Sequence, residues 1–328
     1  MGKAGTVLVL GATGGIGGEL ARQLLDAGWE VRALSRHARV AIEEREGITW
    51  MRGDALRRDD VGTAARGCTV IVHAVNPPGY RRWSELVLPM LDNTIAAATS
   101  ERATIVLPGT VYNYGPDAFG VVTEESPQHP LTRKGAIRVE MERRLREFAA
   151  RGGRALVVRA GDFFGPQAGN NWFSQGLIKP GRPVAKITYP GARGVGHQWA
   201  YLPDVARTIV QLLGRRDSLE PFATFHMRGH WDPDGTQMTR AIQRVVARRT
   251  QLQPVRAKFP WWLIVLAAPL VTTFREMLEM RYLWRVPLRM DNARLAAVLG
   301  SEPHTPLEQA VETALAGLGC LGETAVGR

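Results

Sequence analysis

The segment VLVLGATGGIGGEL, residues 7–20, restricts the chain more than any other. Apolar residues lead into three glycines spaced three apart, Gly11, Gly14 and Gly17, after which Ile16, Leu20 and Leu24 recur at helical spacing and Gly28 stops the helix. A strand that ends in a glycine turn and continues as a helix has few uses. Gly11 lets the chain turn sharply, Gly14 lets the backbone approach a phosphate, and Gly17 lets helix and strand pack closely. The helix N-terminus adds N–H groups and a partial positive charge. The expected phosphate cradle is Gly11, Ala12, Thr13, Gly14, Gly15, Ile16 and Gly17. No GK[ST] follows, so a nucleotide triphosphatase loop is not indicated.

Beyond it, apolar strand-like runs at 6–10, 30–35, 49–52, 70–74, 104–107 and 155–159 alternate with helical patterns. Several are apolar throughout, as strands buried on both faces are. The alternation predicts an α/β chain with a parallel sheet covered on both sides. A helix is expected to start at Asp204 (DVARTIVQLL), its carboxylate capping free N–H groups. After about Gly165, Gly and Pro cluster in GPQAGNNW, KPGRPV and YPGARGVG, which reads as loops closing over a site. A strand at 224–227, a helix near 236–248 and a helical C-terminal segment follow.

Composition narrows the classes of function. Cys68 and Cys320 stand far apart in no CxxC pattern, which excludes a disulfide scaffold or a cysteine zinc site and fits a reducing cytoplasm. The N-terminus passes directly into an apolar strand, which is no secretory pattern. Net charge is +11, but the arginines are scattered, so no nucleic-acid partner is indicated. His226 and His230 lie four apart with Gly229 between them and no third ligand in view, so no metal is expected. No GxSxG occurs, against an α/β serine hydrolase. The run PWWLIVLAAPLV, residues 260–271, is shorter than the ~20 residues that cross a bilayer, and Pro269 interrupts it. No membrane span is expected; a buried or lid helix is, with a sticky face for a partner chain, such as a homodimer, as the alternative.

The end of the second strand reads VRALSRH. An NAD site would place Asp or Glu there to accept the ribose 2′-hydroxyl bonds. Ser35, Arg36 and His37 stand there instead, and a guanidinium grips a 2′-phosphate bidentately. NADP(H) is therefore expected over NAD(H), the alternative for Arg36 being a solvated surface arginine. In GDAL, Asp54 follows the third strand either as an acceptor for the adenine amino group or as a plain turn residue.

These features resemble the extended branch of the short-chain dehydrogenase/reductase superfamily, the NAD-dependent epimerase/dehydratase-like proteins. GATGGIG is similar to the family's glycine loop, VIVHAVNPP to its fourth-strand motif, GTVYNYG to the strand with the catalytic Ser/Thr, and RAGDFFGP to the segment beside the nicotinamide. HQWAYLPDVA resembles its later strand–Asp–helix element, and the LGxxP at 299–303 fits its C-terminal end. The resemblance covers most of the chain. It implies a Rossmann-like, doubly wound parallel sheet at 1–165, with a return segment at about 200–228. A smaller substrate-binding region at 166–328 would follow, with the active site between the two. It also implies that Asp54, Ala55, Ala74, Val75, Ala160, Asp162 and Phe163 face the cofactor. Independently of the resemblance, His197, Gln198 and Trp199 read as part of a glycine-rich loop that either lines a small-molecule substrate pocket or serves packing.

The family works through a Tyr-x-x-x-Lys pair with a Ser or Thr, and here the chain departs from it. Thr110 matches the Ser/Thr, but the later segment reads PQHPLTRKGAIRVEME. Aligning the Gly after the tyrosine and the Glu four residues after the lysine puts Lys134 in place of Tyr and Arg138 in place of Lys. Ile137, Met141, Leu145 and Phe148 define an inward stripe on that helix; Lys134 falls within it and Arg138 at its margin. Two inward cations need an anion or a polar cavity, which a bound dinucleotide provides; alternatively Lys134 snorkels to water. Three outcomes compete. Lys134 can act as the acid/base, its pKa brought down from ~10.4 by burial and like charge. Tyr112 can substitute, if the strand continues and Thr110, Tyr112 and Tyr114 share one face. Or proton transfer is lost, and the chain senses NADP(H) as NmrA-like regulators do. The leading expectation is an oxidoreductase for a carbonyl or alcohol carbon, with a nucleotide-sugar-type epimerase/dehydratase as the alternative.

Overall fold

A computed structural model describes residues 5–77, 82–169 and 171–321; Pro78 of VIVHAVNPP and Asn170 of GPQAGNNW lie outside them. Successive residues of a strand face opposite sides of a sheet. In β1 (Thr6–Leu10) both sides are buried, Val7 and Val9 in one core and Leu8 and Leu10 in another. Burial on both sides also marks β5 (Val70–His73), β6 (Thr104–Thr110) and β8 (Arg154–Ala160), is less complete in β2 (Glu30–Ser35) and β4 (Ile48–Arg52), and is absent from β3 (Ile42–Arg45) and β7 (Gly120–Val122). Between them stand α1 (Gly15–Asp26), α2 (Arg58–Ala65), α3 (Trp83–Glu101) and α4 (Arg133–Ala150). The second part carries β9 (Asp162–Phe164), β10 (Lys186–Tyr189), β11 (His197–Tyr201), α5 (Leu202–Leu213), β12 (Phe222–His226), β13 (His230–Asp232) and α6 (Gln237–Thr250). It closes with β14 (Val255–Lys258), α7 (Trp261–Ala267), α8 (Thr272–Glu279), β15 (Leu288–Met290), α9 (Ala293–Leu299) and α10 (Leu307–Gly317).

Eight strands form one sheet in the order β12-β8-β6-β5-β1-β2-β4-β3. All neighbours pair in parallel except β3, which runs antiparallel to β4 at the edge. α1 and α5 cover one face, and α2, α3 and α4 the other. The chain works outward from β1 through β2 to β4 and then returns to β5. That reversal opens a crevice at the C-terminal ends of β1 and β5, where ligands of doubly wound sheets bind. A third core joins β10, β11, α6 and α10, and a fourth lies where the turn after β6 meets Met280, Leu283 and Met290.

Several expectations change. The edge strand β3 has an exposed, mostly charged sequence with no apolar alternation to reveal it. β6 continues past Leu107 through Pro108, because its pairing with β5 stops at Val106 and no ladder on that side needs the missing N–H. Asp204 does not cap α5, which starts at Leu202. Its carboxylate instead accepts bonds from the Thr305 N–H (2.7 Å) and hydroxyl (2.8 Å), tying the C-terminal segment to that helix. The run 260–271 is not a buried helix: most of its side chains are exposed or half-buried, with Ile264 and Ala268 buried.

Candidate active site

Gly11 ends β1 with φ +92°, a left-handed conformation, and a Cβ there would sit 2.5 Å from the Ala74 carbonyl oxygen. A Cβ on Gly17 would strike the Gly11 carbonyl, so that glycine sets how closely α1 meets the turn. No side chain caps the start of α1, and its first turn holds no acid. These backbone donors fit a pyrophosphate. They face a cavity of about 630 Å³ lined by Gly11, Thr13, Gly14, Gly15 and Ile16, while Ala12 and Gly17 lie behind the loop.

The cavity follows the ends of the strands. Ser35, Arg36, His37, Asp54 and Ala55 line it beyond β2 and β4, and Ala74 and Val75 beyond β5. Ala160, Asp162 and Phe163 line it beyond β8. Arg36 and His37 are exposed at its mouth. The Asp54 carboxylate accepts the Leu56 N–H at 3.0 Å, so Asp54 shapes its turn as well as lining the cavity.

Thr110 closes β6, and its hydroxyl oxygen accepts the Tyr112 N–H at 3.3 Å, starting a single 3-10 turn at Val111–Asn113. The strand therefore does not continue, and the tyrosines separate. Tyr112 lines the cavity. Tyr114 is buried elsewhere, its hydroxyl 2.7 Å from His226 Nε2.

α4 is capped by the Thr132 hydroxyl, which accepts the Gly135 N–H at 3.0 Å. A Cβ at Gly135 would collide with the Tyr112 carbonyl. Glycine at this point lets α4 dock on the turn, and docking brings Lys134 and Arg138 to the cavity beside Thr110 and Tyr112. Both cations are buried, at 3% and 7% exposure, so Lys134 does not snorkel to bulk water.

Lys134 meets a partner the sequence gives no sign of. Its Nζ lies 2.9 Å from Glu276 Oε2 and donates to the Glu276 carbonyl at 3.1 Å. Its backbone N–H donates to Glu279 Oε1 at 3.2 Å. Both acids belong to α8, three residues apart and so on one face. Burial lowers the lysine pKa, and the Glu276 carboxylate works against that shift without cancelling it. The Arg138 guanidinium lies 5.2 Å over the Trp83 ring. Nearby His73 is pulled down to about 3 by burial and then by the Arg138 charge, and its Nδ1 pairs with the Thr94 hydroxyl at 2.8 Å.

Behind this layer, the Asp162 carboxylate accepts from His197 Nε2 at 2.9 Å, and the His197 ring stacks on Trp284 at 3.8 Å between centroids. His197 and Trp199 lie on β11, a strand rather than a loop, and do not line the cavity; His197 touches it only through Asp162. Glu142, the alignment anchor, is itself buried and accepts two bonds from Arg159, at 3.0 and 2.5 Å, plus one from Asn113 at 2.9 Å. Arg159 also reaches Tyr114 and His226, so the network locks the turn after β6 to α4, β8 and β12. His226 and His230 thus do not share a site. Among the described residues, ligand atoms of Asp204, His230 and His304 do lie within 4.8 Å of one another, but the carboxylate is already held by Thr305 and Arg207.

Comparison with known proteins agrees with this fold. The structure of MoeE5 in complex with UDP-glucose and NAD is similar, at 19% identity over 95% of this chain and 98% of that one, TM-score 0.71. So is that of UDP-glucose 4-epimerase from Brucella ovis in complex with NAD, at 16% identity over 96% and 98%, TM-score 0.72. A third is UDP-glucuronic acid 4-epimerase from Bacillus cereus in complex with UDP-glucuronic acid and NAD, at 15% over 95% and 98%, TM-score 0.71. No curated protein matches the sequence. The profile of the NAD dependent epimerase/dehydratase family matches residues 7–248, most of the chain. The chain belongs to that family of nicotinamide-dinucleotide enzymes, the extended short-chain dehydrogenase/reductases.

Proposed function

We propose that the chain binds NADP(H) in this cavity and carries out hydride transfer at a carbonyl or alcohol carbon of a small molecule, with Lys134 in the role of the usual tyrosine. The observation that carries this reading is that two buried cations, Lys134 and Arg138, line the same cavity as the glycine turn and Thr110. The nicotinamide, when bound, supplies or accepts the hydride. The N-terminal N–H groups of α1 hold the pyrophosphate, and Arg36 with Ser35 grips the 2′-phosphate. The Thr110 hydroxyl, which uses its oxygen toward Tyr112, keeps its hydrogen for the substrate oxygen. The Lys134 ammonium gives that oxygen a proton during reduction and is left as the neutral amine, and in the oxidation direction that amine takes the hydroxyl proton. Burial makes Lys134 a better acid than a free lysine, and the Glu276 carboxylate opposes that shift in part. Arg138 stays protonated and contributes fixed charge beside the ribose.

On the same reading residues 1–165, with the return segment at about 200–228, bind the cofactor, residues 166–328 bind the substrate, and the reaction runs in a reducing cytoplasm. Arg36 favours NADP(H) although the similar structures named above hold NAD, because the end of β2 offers no carboxylate to a ribose diol. Stabilisation by NADPH in excess of NADH supports that choice; equal shifts reject it.

A second reading, nucleotide-sugar epimerisation, is favoured by the UDP-sugars in two of those similar structures. One screen separates the readings: wild type, Lys134→Ala and Tyr112→Phe against aldehydes, ketones and nucleotide sugars with NADPH. Turnover lost in Lys134→Ala supports the proposal, and loss confined to Tyr112→Phe assigns the proton to the phenol. The same nucleotide sugars incubated with oxidised cofactor, NADP+ or NAD+, and epimerised with no net reduction of it support the second reading. Tight NADPH binding with no turnover makes the chain a sensor.

A further inference from the structure

Six large apolar side chains of α7 and the turn after it stand in solvent. Trp262 is 69% exposed, Leu263 44%, Val265 50%, Leu266 72%, Leu270 91% and Val271 39%. Scattered exposed apolar residues are ordinary, but a contiguous set marks a docking surface. The helix is held from one side only. Ile264 is buried, and Trp261 packs on Trp172 and donates its Nε1–H to the Pro190 carbonyl at 2.7 Å.

The charges that flank the patch along the chain favour one class of occupant. Exposed Arg256 and Lys258 precede it, and exposed Arg275 and Arg285 follow it. Between residues 252 and 286 the acids are Glu276 and Glu279, and both face Lys134 rather than the patch. A second copy of a chain of net charge +11 would bring these same cations together, which repulsion opposes. An anionic lipid surface instead takes the apolar side chains among its acyl ends and the cations at its headgroups. No helix among the described residues is long and apolar enough to cross a membrane, so α7 suits the interfacial plane.

We propose that α7 and residues 268–271 dock the protein on an anionic bilayer surface, with Trp262, Leu266 and Leu270 inserted and Arg256, Lys258, Arg275 and Arg285 at the headgroups. The next helix, α8, carries Glu276 and Met277 into the cavity wall, so this surface adjoins the site.

The test is co-sedimentation of the full chain with phosphatidylcholine vesicles and with equimolar phosphatidylcholine–phosphatidylglycerol vesicles. The expected result is pelleting with the mixed vesicles alone, weakened by salt, and roughly tenfold weaker in Leu266→Glu and Leu270→Glu. Both positions are exposed, so circular dichroism and Tm should stay at wild-type values. Absence of pelleting overturns the proposal. Pelleting that salt abolishes but Leu266→Glu leaves intact also overturns it, as surface adsorption without insertion. A dimer in sedimentation velocity that Leu266→Glu converts to monomer, with no vesicle binding, assigns the patch to a second copy and overturns it as well.

Discussion

Two opposing influences act on Lys134: burial drives its pKa down, and Glu276 draws it back up. Its ammonium is the form that donates during carbonyl reduction. The reductive kcat/KM should therefore fall as pH rises through a pKa below the ordinary lysine value of ~10.4. Glu276→Gln removes the opposing charge and should move that falling limb to lower pH; a limb unmoved in this variant would remove Glu276 from the account. Glu142 makes a second residue-scale test. Its partner Arg159 has no exposed surface, so Glu142→Ala leaves a buried cation unpaired and should cost about 3–5 kcal/mol in urea unfolding. The sequence revealed Lys134 and Arg138 because a Gly and a Glu at fixed spacing frame them. It could not reveal Glu276, whose contact with Lys134 spans 142 positions. His197 and Trp199 were harder still, since glycines around them suggest a loop while all five residues of β11 are buried.

At the scale of elements, the approach of α4 to the turn after β6 decides whether a site exists. Gly135 permits it, and Gly135→Ala should lower Tm by an amount equivalent to about 1–3 kcal/mol and reduce kcat/KM together with it, as overpacking pushes α4 off the Tyr112 carbonyl. Unchanged Tm and kinetics would mean that α4 can shift without consequence. The parallel strands were legible because burial on both faces leaves them apolar throughout. β3 and the end of β6 were not, one being charged and the other passing through Pro108. Residues 260–271 are legible as an apolar run, but not for the side that run would face. Burial is settled by tertiary contacts, and α7 received few of them.

Across the whole molecule, three buried histidines couple stability to pH. Burial and neighbouring positive charge hold His73 and His226 at about 3, and burial with His304 holds His230 at about 4. Unfolded, each takes a proton near ~6.5, while the native state stays neutral. The unfolded state then binds more protons, so stability should fall as pH drops from about 6.5 toward 4, by at most on the order of 4 kcal/mol per pH unit. A Tm that stays flat between pH 7 and pH 5 would contradict the neutral, buried assignment. The parallel sheet and the phosphate-binding turn at the end of β1 were legible from strand–helix alternation and one glycine pattern, whereas the order of the strands was not. The floor of the crevice near Lys134 depends on α8, which the sequence does not connect to it. The most direct measurement is NADPH oxidation by Lys134→Met beside wild type, at saturating NADPH, on a carbonyl substrate returned by the screen. The account predicts retained NADPH affinity with a rate reduced about 100-fold or more. A rate equal to wild type would contradict it.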